Sequence, residues 1–317
     1  MFDSFLDPVI LFFVLGLLAG LLKSDLKIPE QLYETLTIYI LLSIGLKGGS
    51  KLSQSTADTT VTAIVASMIL GAMIPLIAYP ILRKLGKFGR SDSAALSGHF
   101  GAVSSVTFAV ALDYLLSRSV YFEEYVPVLY VTLEVPAILI AIGLARFKTD
   151  KKNMPVKKLL REVFMSKSVF LLIGGLLIGY FGMAEKMGAI KTVFFDPFKG
   201  ILAIFLLEMG IVTSRRIKEV KKYGAFLLVF GVVFPIMMAT LGCFMGKLAG
   251  MSVGGSFILG VLAASASYIT APVTMRMAIP EANPSLYLTS SLGIVFPFNI
   301  ILGVPLYFQI CNWIHAL

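Results

Sequence analysis

Apolar residues recur along the whole chain in ten runs, and a short polar or basic connection separates each run from the next. A helix needs about 20 apolar residues to cross a bilayer. The runs at 6–22, 168–183 and 196–213 are shorter, and would need a locally thin bilayer or burial inside the protein. The pattern predicts an all-α membrane protein with ten transmembrane helices at about 6–22, 29–46, 58–82, 91–115, 125–147, 168–183, 196–213, 223–249, 253–278 and 285–314.

Small and hydroxyl-bearing residues interrupt the fourth and ninth runs, where a simple span would carry leucine and isoleucine. The first interruption is GHFGAVSSVTFAVA, residues 98–111, and a shift of 167 positions lays residues 102–107 over residues 269–274. One such interruption in each half of a membrane protein indicates a transporter binding site. We therefore predict helix breaks near Gly101 to Ser105 and near Tyr268 to Pro272, the second being the clearer because proline removes a backbone donor.

Composition places the chain outside the range of soluble proteins. Of its 317 residues 57% are hydrophobic and 14% charged, and the mean hydropathy is +0.89, whereas soluble domains have roughly 45–50% apolar and about 25% charged residues. The net charge is +9, but the basic residues lie in short loops between apolar runs, which argues against a nucleic-acid partner. Asp3 and Asp7 precede the first run without any basic residue, so we expect a retained span rather than a signal peptide.

The distribution of lysine and arginine predicts the orientation in the membrane. Of the 27 basic residues, alternate connections hold about 20 in one set and about 7 in the other, and the richer set belongs in the cytoplasm. Both termini are therefore expected outside the cell, which requires an even number of spans.

The two halves of the chain resemble each other. Residues 15–20 match 174–179, residues 41–46 match 206–211, and residues 127–132 match 284–289. Five spans per half would make the second half enter the membrane from the opposite side, as in inverted-topology repeats. We predict a first repeat at 1–147, a cytoplasmic basic linker at 148–167 and a second repeat at 168–317. The linker is interpreted as lying near anionic lipid headgroups, with docking of a cytoplasmic regulatory protein as the alternative.

Broken helices offer a way to bind an anion without lysine or arginine. Half-helix N-termini expose unpaired N–H groups and the positive end of the helix dipole, and both favour a small oxyanion. The alternative is that these small and hydroxyl residues serve only close helix packing. The predicted substrate-binding residues are Gly101, Ala102, Val103, Ser104, Ser105, Thr270 and Ala271.

Oxygen-bearing side chains near the breaks are candidates for ion coupling. Glu134 lies about ten residues into the fifth span, and an ionisable group at that depth is a functional candidate; a structural, protonated or hydrogen-bonded carboxyl is the alternative. The predicted sodium-binding residues are Glu134, Thr107, Ser265, Ser267 and Thr274.

Three further polar residues invite interpretation. His99 is a candidate pH sensor because histidine titrates near neutral pH, although a lone histidine in a packed helix is more often only hydrogen-bonded. Asn283 and Asn299 are candidate oxygen ligands or helix caps.

Enzyme signatures are absent from the sequence. It has no Gly-x-Ser-x-Gly elbow, no His-Glu-x-x-His motif and no phosphate-binding glycine-rich loop, and its two histidines do not suggest a metal cluster. We therefore expect neither an enzyme nor a cofactor.

Three stretches resemble the sodium-dependent bicarbonate transporters best known from cyanobacteria: residues 44–49 (IGLKGG), residues 100–104 (FGAVS) and, most specifically, residues 263–291. The resemblance covers nearly the whole chain. It implies ten helices in inverted repeats, a core part with crossed broken helices (spans three to five and eight to ten), and a gate part that forms a homotrimer. It also implies sodium-driven bicarbonate uptake by movement of core against gate, in a bacterial inner membrane.

The chain departs from the family pattern at two positions near the predicted site. Tyr268 stands where the family has an acidic residue, and Glu134 stands where it has aspartate. These departures leave open a transporter of another small anion, coupled to sodium or protons, and a membrane sensor that keeps the fold without transport.

Overall fold

The computed structural model describes residues 7–53, 59–146, 156–182 and 184–317, in which regular structure is helical and no strand is found. Each predicted run contains one helix, except the fourth and ninth, which contain two. The helices are α1 Pro8–Leu21, α2 Glu30–Leu52, α3 Thr60–Lys84, α4 Arg90–Gly101, α5 Ser105–Leu116, α6 Val126–Arg146, α7 Val156–Phe164, α8 Lys167–Phe181, α9 Ala184–Phe194, α10 Phe198–Val220, α11 Gly224–Leu248, α12 Val253–Ala263, α13 Thr270–Ala278 and α14 Pro284–Ala316.

Length and hydropathy make five helical segments of the described chain able to cross a membrane. They are Thr60–Lys84, Arg90–Leu116, Val126–Arg146, Ile190–Leu248 and Pro284–Ala316. The shorter helices α1, α8 and α12 are also apolar. An 18-residue window of Arg90–Leu116 is entirely buried inside the protein, which explains how the interrupted fourth run avoids placing its polar groups against lipid.

Side-chain caps fix several helix starts. The Asp7 carboxylate accepts a hydrogen bond from the Val9 N–H at 2.9 Å, and Pro8 takes the first helical position, where a missing N–H costs nothing. Asn283 caps α14 in the same way, by accepting from the Ser285 N–H at 3.0 Å. The prediction of Asn283 as a helix cap is confirmed.

The helices pack in two groups. In the first group, α1 packs against α10 and α2 packs against α8. Both contacts bring backbones together at glycines: a Cβ on Gly45 would lie 2.9 Å from the Gly175 Cα, and a Cβ on Gly210 would lie 2.9 Å from the Gly16 carbonyl carbon. In the second group, α3 and α4 pack with α6, and α11 packs with α12 and α14.

Two short helices lie outside the predicted spans. The helix α7 occupies part of the predicted linker, with Lys157, Lys158 and Arg161 exposed and Val163 buried; linker residues 148–155 lie outside the described residues. The helix α9 precedes α10. Both are shorter than the roughly 20 residues needed to cross a bilayer, so hydropathy over that length did not predict them.

The last helix contains two wide π-helical turns, Ser291–Val295 and Asn299–Gly303. Pro297 and Pro305 each follow one of them by two residues. Because proline lacks an N–H donor, the regular hydrogen-bond ladder is interrupted at these places. The second π-helical turn places Asn299 in the fully buried interior.

Candidate functional site

Both predicted helix breaks are present. The helix α4 ends at Gly101, residues 102–104 form a short connection with Ala102 and Ser104 in extended conformations, and α5 begins at Ser105. The second connection is longer and runs from 264 to 269, between α12 and α13. Pro272 lies in the first turn of α13 rather than within this connection, at a position where proline is tolerated because the first N–H groups of a helix have no partner within it.

The two breaks touch each other. The Ser267 N–H donates to the His99 carbonyl at 3.0 Å, which joins the connection after α12 to the end of α4. Each break also caps the half-helix that follows it. The Ser104 hydroxyl accepts from the Thr107 N–H at 3.2 Å, and the Ser267 hydroxyl accepts from the Ala271 N–H at 3.3 Å. Two half-helix N-termini therefore start beside one another in the protein interior.

Neighbouring helices hold a carbonyl of each break. The Tyr130 hydroxyl on α6 donates to the Val103 carbonyl at 3.3 Å. The Asn299 amide on α14 donates to the Ala264 carbonyl at 2.9 Å and its oxygen accepts from the Tyr307 hydroxyl at 2.7 Å. Asn299 thus serves as the cap of a broken helix, one of the two roles predicted for it.

A narrow pocket, which we call the central pocket, lies where the breaks meet. None of its lining residues carries a formal charge, so an anion there would be bound by N–H and hydroxyl groups. No water-sized sphere fits within it, so the pocket is too narrow for a water molecule in this conformation. Its lining consists of Val103, Ser104, Ser105, Tyr130, Ser168, Ser267, Tyr268 and Ile269.

The structure places only part of the predicted substrate-binding set at this pocket. Val103, Ser104 and Ser105 line it. Gly101 and Ala102 are buried immediately before these residues, and a Cβ on Gly101 would lie 2.6 Å from the Ala137 Cβ of α6. The small residue at 101 therefore permits close packing against α6.

At the second break, Thr270 and Ala271 form the first two residues of α13 and are buried without lining the pocket. The Thr270 hydroxyl is buried and has no hydrogen-bond partner among the described residues.

The predicted sodium-binding residues are all buried, but they are not gathered at one point of the pocket. Only Ser267 lines it. The Thr107 hydroxyl donates to the Ser104 hydroxyl at 3.0 Å, Ser265 donates to the Leu262 carbonyl at 2.8 Å, and Thr274 donates to the Thr270 carbonyl at 3.3 Å.

Glu134 is fully buried in α6, one turn beyond Tyr130. Neither of its carboxylate oxygens has a hydrogen-bond partner among the described residues. A bare carboxylate in such surroundings is strongly disfavoured, so the group needs a proton or a cation.

His99 is fully buried beside the break. Its Nδ1 lies 2.7 Å from the Ala95 carbonyl and its ring stacks on Tyr287 at a centroid distance of 4.2 Å. The Nε2 atom has no partner within the described part of the chain. His99 is therefore packed and hydrogen-bonded, as the alternative to a pH sensor expects, but one of its ring nitrogens is unsatisfied.

Four residues of the pocket were not predicted as site residues. Tyr268 and Ile269 lie in the predicted second break, and the other two are Tyr130 and Ser168. Tyr130 lies in the sequence match of residues 127–132 with 284–289, which marks it as a position shared by the two halves. No comparable pattern marks Ser168, which reaches the pocket from the start of α8 with a buried hydroxyl.

The structure has two larger cavities, one of which adjoins the central pocket. The inner cavity, on the side predicted as cytoplasmic, has a volume of about 430 Å³ and shares Tyr268 with the central pocket. It is lined by Lys27, Ile28, Glu30, Tyr33, Glu208, Met209, Val212, Arg215, Tyr268 and Leu292.

The outer cavity, on the opposite side, has a volume of about 160 Å³ and shares no lining residue with the central pocket. At its wall, Lys199 lies 3.4 Å from Asp113 and 3.7 Å from Asp7. These contacts join the start of α10 to the end of α5 and the start of α1.

Comparison with known proteins identifies the family. A search of curated proteins finds no match to the chain. A family profile described as "Na+-dependent bicarbonate transporter superfamily" matches residues 8–312. The match covers nearly the whole chain and includes both breaks and the central pocket. The resemblance found in the sequence motifs is thus confirmed, and the chain belongs to the Na+-dependent bicarbonate transporter superfamily.

Proposed function

We propose that this protein is a secondary transporter that carries bicarbonate together with sodium into the cell across the bacterial inner membrane. Its family and its apolar helices support a multi-pass membrane protein of a transporter class. The observation that carries the proposal is the contact between the two breaks, which places two half-helix N-termini at one uncharged pocket.

The chemistry of the pocket suits a small oxyanion. In each half-helix the first N–H groups have no partner in the helix itself, and the dipole places partial positive charge at the same end. The hydroxyls of Ser104, Ser105, Ser168 and Ser267 can donate to further anion oxygens. Bicarbonate offers three oxygens in a plane, so it can accept from both breaks at once.

The packing favours movement of one helix group against the other. The core comprises α3–α6 and α11–α14, and the gate comprises α1, α2, α8 and α10. The helix contacts within the gate support inverted repeats at 1–147 and 168–317. In the sequence matches, Gly16 corresponds to Gly175 and Gly45 to Gly210. In the structure, Gly16 instead contacts Gly210, and Gly45 contacts Gly175. The two contacts are therefore exchanged by the repeat, as a two-fold relation requires. Both termini would lie outside.

We propose that sodium coupling involves Glu134, whose oxygens are unpartnered, with the hydroxyls of Thr107, Ser265, Ser267 and Thr274. Since these groups are not gathered at one point in this conformation, a sodium ion bound by all of them requires a rearrangement of the site. Sodium is a hard cation that, like calcium and magnesium, prefers oxygen ligands. Proton coupling is the second candidate, because the unpartnered oxygens of Glu134 suit a protonated carboxyl equally well. His99, with its unsatisfied Nε2, is the candidate pH-sensing residue of either scheme.

Assembly into a homotrimer is proposed for the gate part. Exposed apolar side chains on α1 and α8, including Leu15, Leu18, Phe170 and Leu177, face away from the core and suit lipid or a second copy. Binding of a cytoplasmic regulatory protein to the basic linker at 148–167 remains the alternative to a contact with anionic lipid.

Uptake of labelled bicarbonate by liposomes containing the purified protein tests the transport proposal. An imposed sodium gradient should raise uptake above the level without sodium. Ser104→Ala and Ser267→Ala should each raise the bicarbonate KM by about 10- to 100-fold, because a hydrogen bond to a charged group contributes about 1.5–3 kcal/mol.

Ser97→Ala is the matched control, because Ser97 is equally buried on α4 but its hydroxyl donates to the Ala94 carbonyl at 2.8 Å, away from the pocket. Unchanged uptake in both pocket variants would refute the assignment of the site. Sodium-independent uptake that follows a pH gradient would favour proton coupling. A folded protein that moves no anion would support the sensor alternative.

A further inference from the structure

Tyr268 separates the central pocket from the inner cavity. It is the residue common to the linings of the two spaces. On one side lies a pocket without room for a water-sized sphere, and on the other a cavity of about 430 Å³. Tyr268 therefore borders both the narrow central pocket and the larger space on the predicted cytoplasmic side.

The surroundings of Tyr268 allow its ring to act as a barrier. The side chain is 9% exposed, and its ring packs edge-on against Phe296 with the centroids 5.3 Å apart. Phe296 in turn packs edge-on against Phe13 of α1, at 5.7 Å. The aromatic contact thus runs from the core to the gate at the level of the pocket.

The Tyr268 hydroxyl does not lock the ring in place. Ser104 lines the same pocket, but the Tyr268 hydroxyl has no hydrogen-bond partner among the described residues. The backbone beside it is fixed, because the Ser267 N–H donates to the His99 carbonyl at 3.0 Å. Movement of the side chain, rather than of the backbone, is therefore the motion that no hydrogen bond of Tyr268 opposes.

We propose that the Tyr268 ring is the inner gate of the site, which closes the central pocket toward the cytoplasmic cavity and swings aside to release the anion. The proposal rests on the proposed function, since it assigns the release route of the same site. The blocking group is the ring, packed on Phe296, and the hydroxyl is dispensable for the barrier.

The rate at which a cysteine in the pocket reacts with a water-soluble maleimide tests the gate. The experiment uses Ser104→Cys in a chain whose two buried native cysteines, Cys243 and Cys311, are replaced by alanine. Adding Tyr268→Ala should speed labelling in detergent about tenfold, equivalent to about 1.4 kcal/mol in the free energy of opening. Tyr268→Phe should leave the rate unchanged because the ring is kept. Tyr268→Leu, which keeps apolar contact with Phe296 but is shorter, should give an intermediate increase and serves if the alanine variant fails to fold.

A second cysteine distinguishes an opened gate from a loosened protein. Ser97→Cys is buried and lines neither space, so it should stay unreactive in the Tyr268→Ala chain. Reaction at both cysteines would overturn the proposal, as would equal labelling rates at Ser104→Cys for the phenylalanine and shortened variants. Labelling requires neither bicarbonate nor sodium, so a failure of uptake would refute the proposed function independently of this result.

Discussion

Replacing Asn299 by alanine should destabilise the protein and disturb the second break. The side chain is fully buried and makes two hydrogen bonds, donating to the Ala264 carbonyl at 2.9 Å and accepting from the Tyr307 hydroxyl at 2.7 Å. Alanine leaves both of these groups without a partner. The bond to Ala264 joins two helices, and such bonds contribute about 0.6 kcal/mol on average in membrane proteins. The larger cost comes from the partners, because a buried polar group left unpaired costs about 1–3 kcal/mol. Two groups left unpaired at about 1–3 kcal/mol each give an expected loss of about 2–6 kcal/mol in the free energy of unfolding.

Titration of the purified protein with a denaturing detergent measures this free energy, and Asn312→Ala is the matched control. Asn312 lies on the same helix and donates to the Phe308 carbonyl at 2.8 Å, but it is exposed, so its replacement should change stability by less than about 0.5 kcal/mol. Tyr307→Phe should be partly destabilising, and the double variant should show a coupling of about 0.5–3 kcal/mol with Asn299→Ala. A loss below about 0.5 kcal/mol in Asn299→Ala, or full additivity with Tyr307→Phe, would refute the reasoning.

Three other substitutions give separate tests. Gly45→Ala should lower the free energy of unfolding by about 1–3 kcal/mol because its Cβ would lie 2.7 Å from a backbone oxygen of α8. The control Gly143→Ala, with open space around its Cβ, should be neutral or stabilising by up to about 1 kcal/mol. Equal losses for the two variants on detergent titration would contradict this. Glu134→Gln should keep the fold and abolish the dependence of bicarbonate uptake on the coupling ion, because the amide is neutral and nearly isosteric; uptake that keeps its sodium dependence would remove Glu134 from the coupling site. Lys199→Gln should lower the free energy of unfolding by less than about 1 kcal/mol, since Lys199 is 46% exposed and exposed ion pairs contribute little. This loss should shrink at high salt. A larger or salt-independent loss would contradict an ionic contact with Asp113.

The breaks were predictable because their cause is local. Small and hydroxyl residues weaken an apolar helix, and serine at the start of a half-helix accepts from its N–H groups, which is what Ser104 and Ser267 do. The exact end of the second break was harder to predict from the sequence. Pro272 marked the second break, yet the connection ends at Ile269, since proline is compatible with the first helical turn.

The lining of the pocket was only partly predictable because it depends on packing between distant segments. Ser168 lies more than 60 residues from the first break in the sequence, and it reaches the pocket only because α8 packs along α2. The role of Asn299 in capping Ala264 likewise depends on the second π-helical turn of α14. A hydropathy pattern carries neither the rotation of a helix about its axis nor the local widening of a turn.

The glycine contacts of the gate have a mechanical consequence. Where α1 meets α10 and α2 meets α8, backbone atoms touch backbone atoms, so no side chain can change rotamer to absorb a displacement. Sliding along either contact would drive the next, larger residue into the opposing main chain. These pairs are thus the stiff joints of the protein, whereas the contact between Tyr268 and Phe296 is made by side chains, which can change rotamer. Because Tyr268 lines the central pocket, a small displacement of the helices would be taken up by side chains beside the pocket rather than at the glycine contacts.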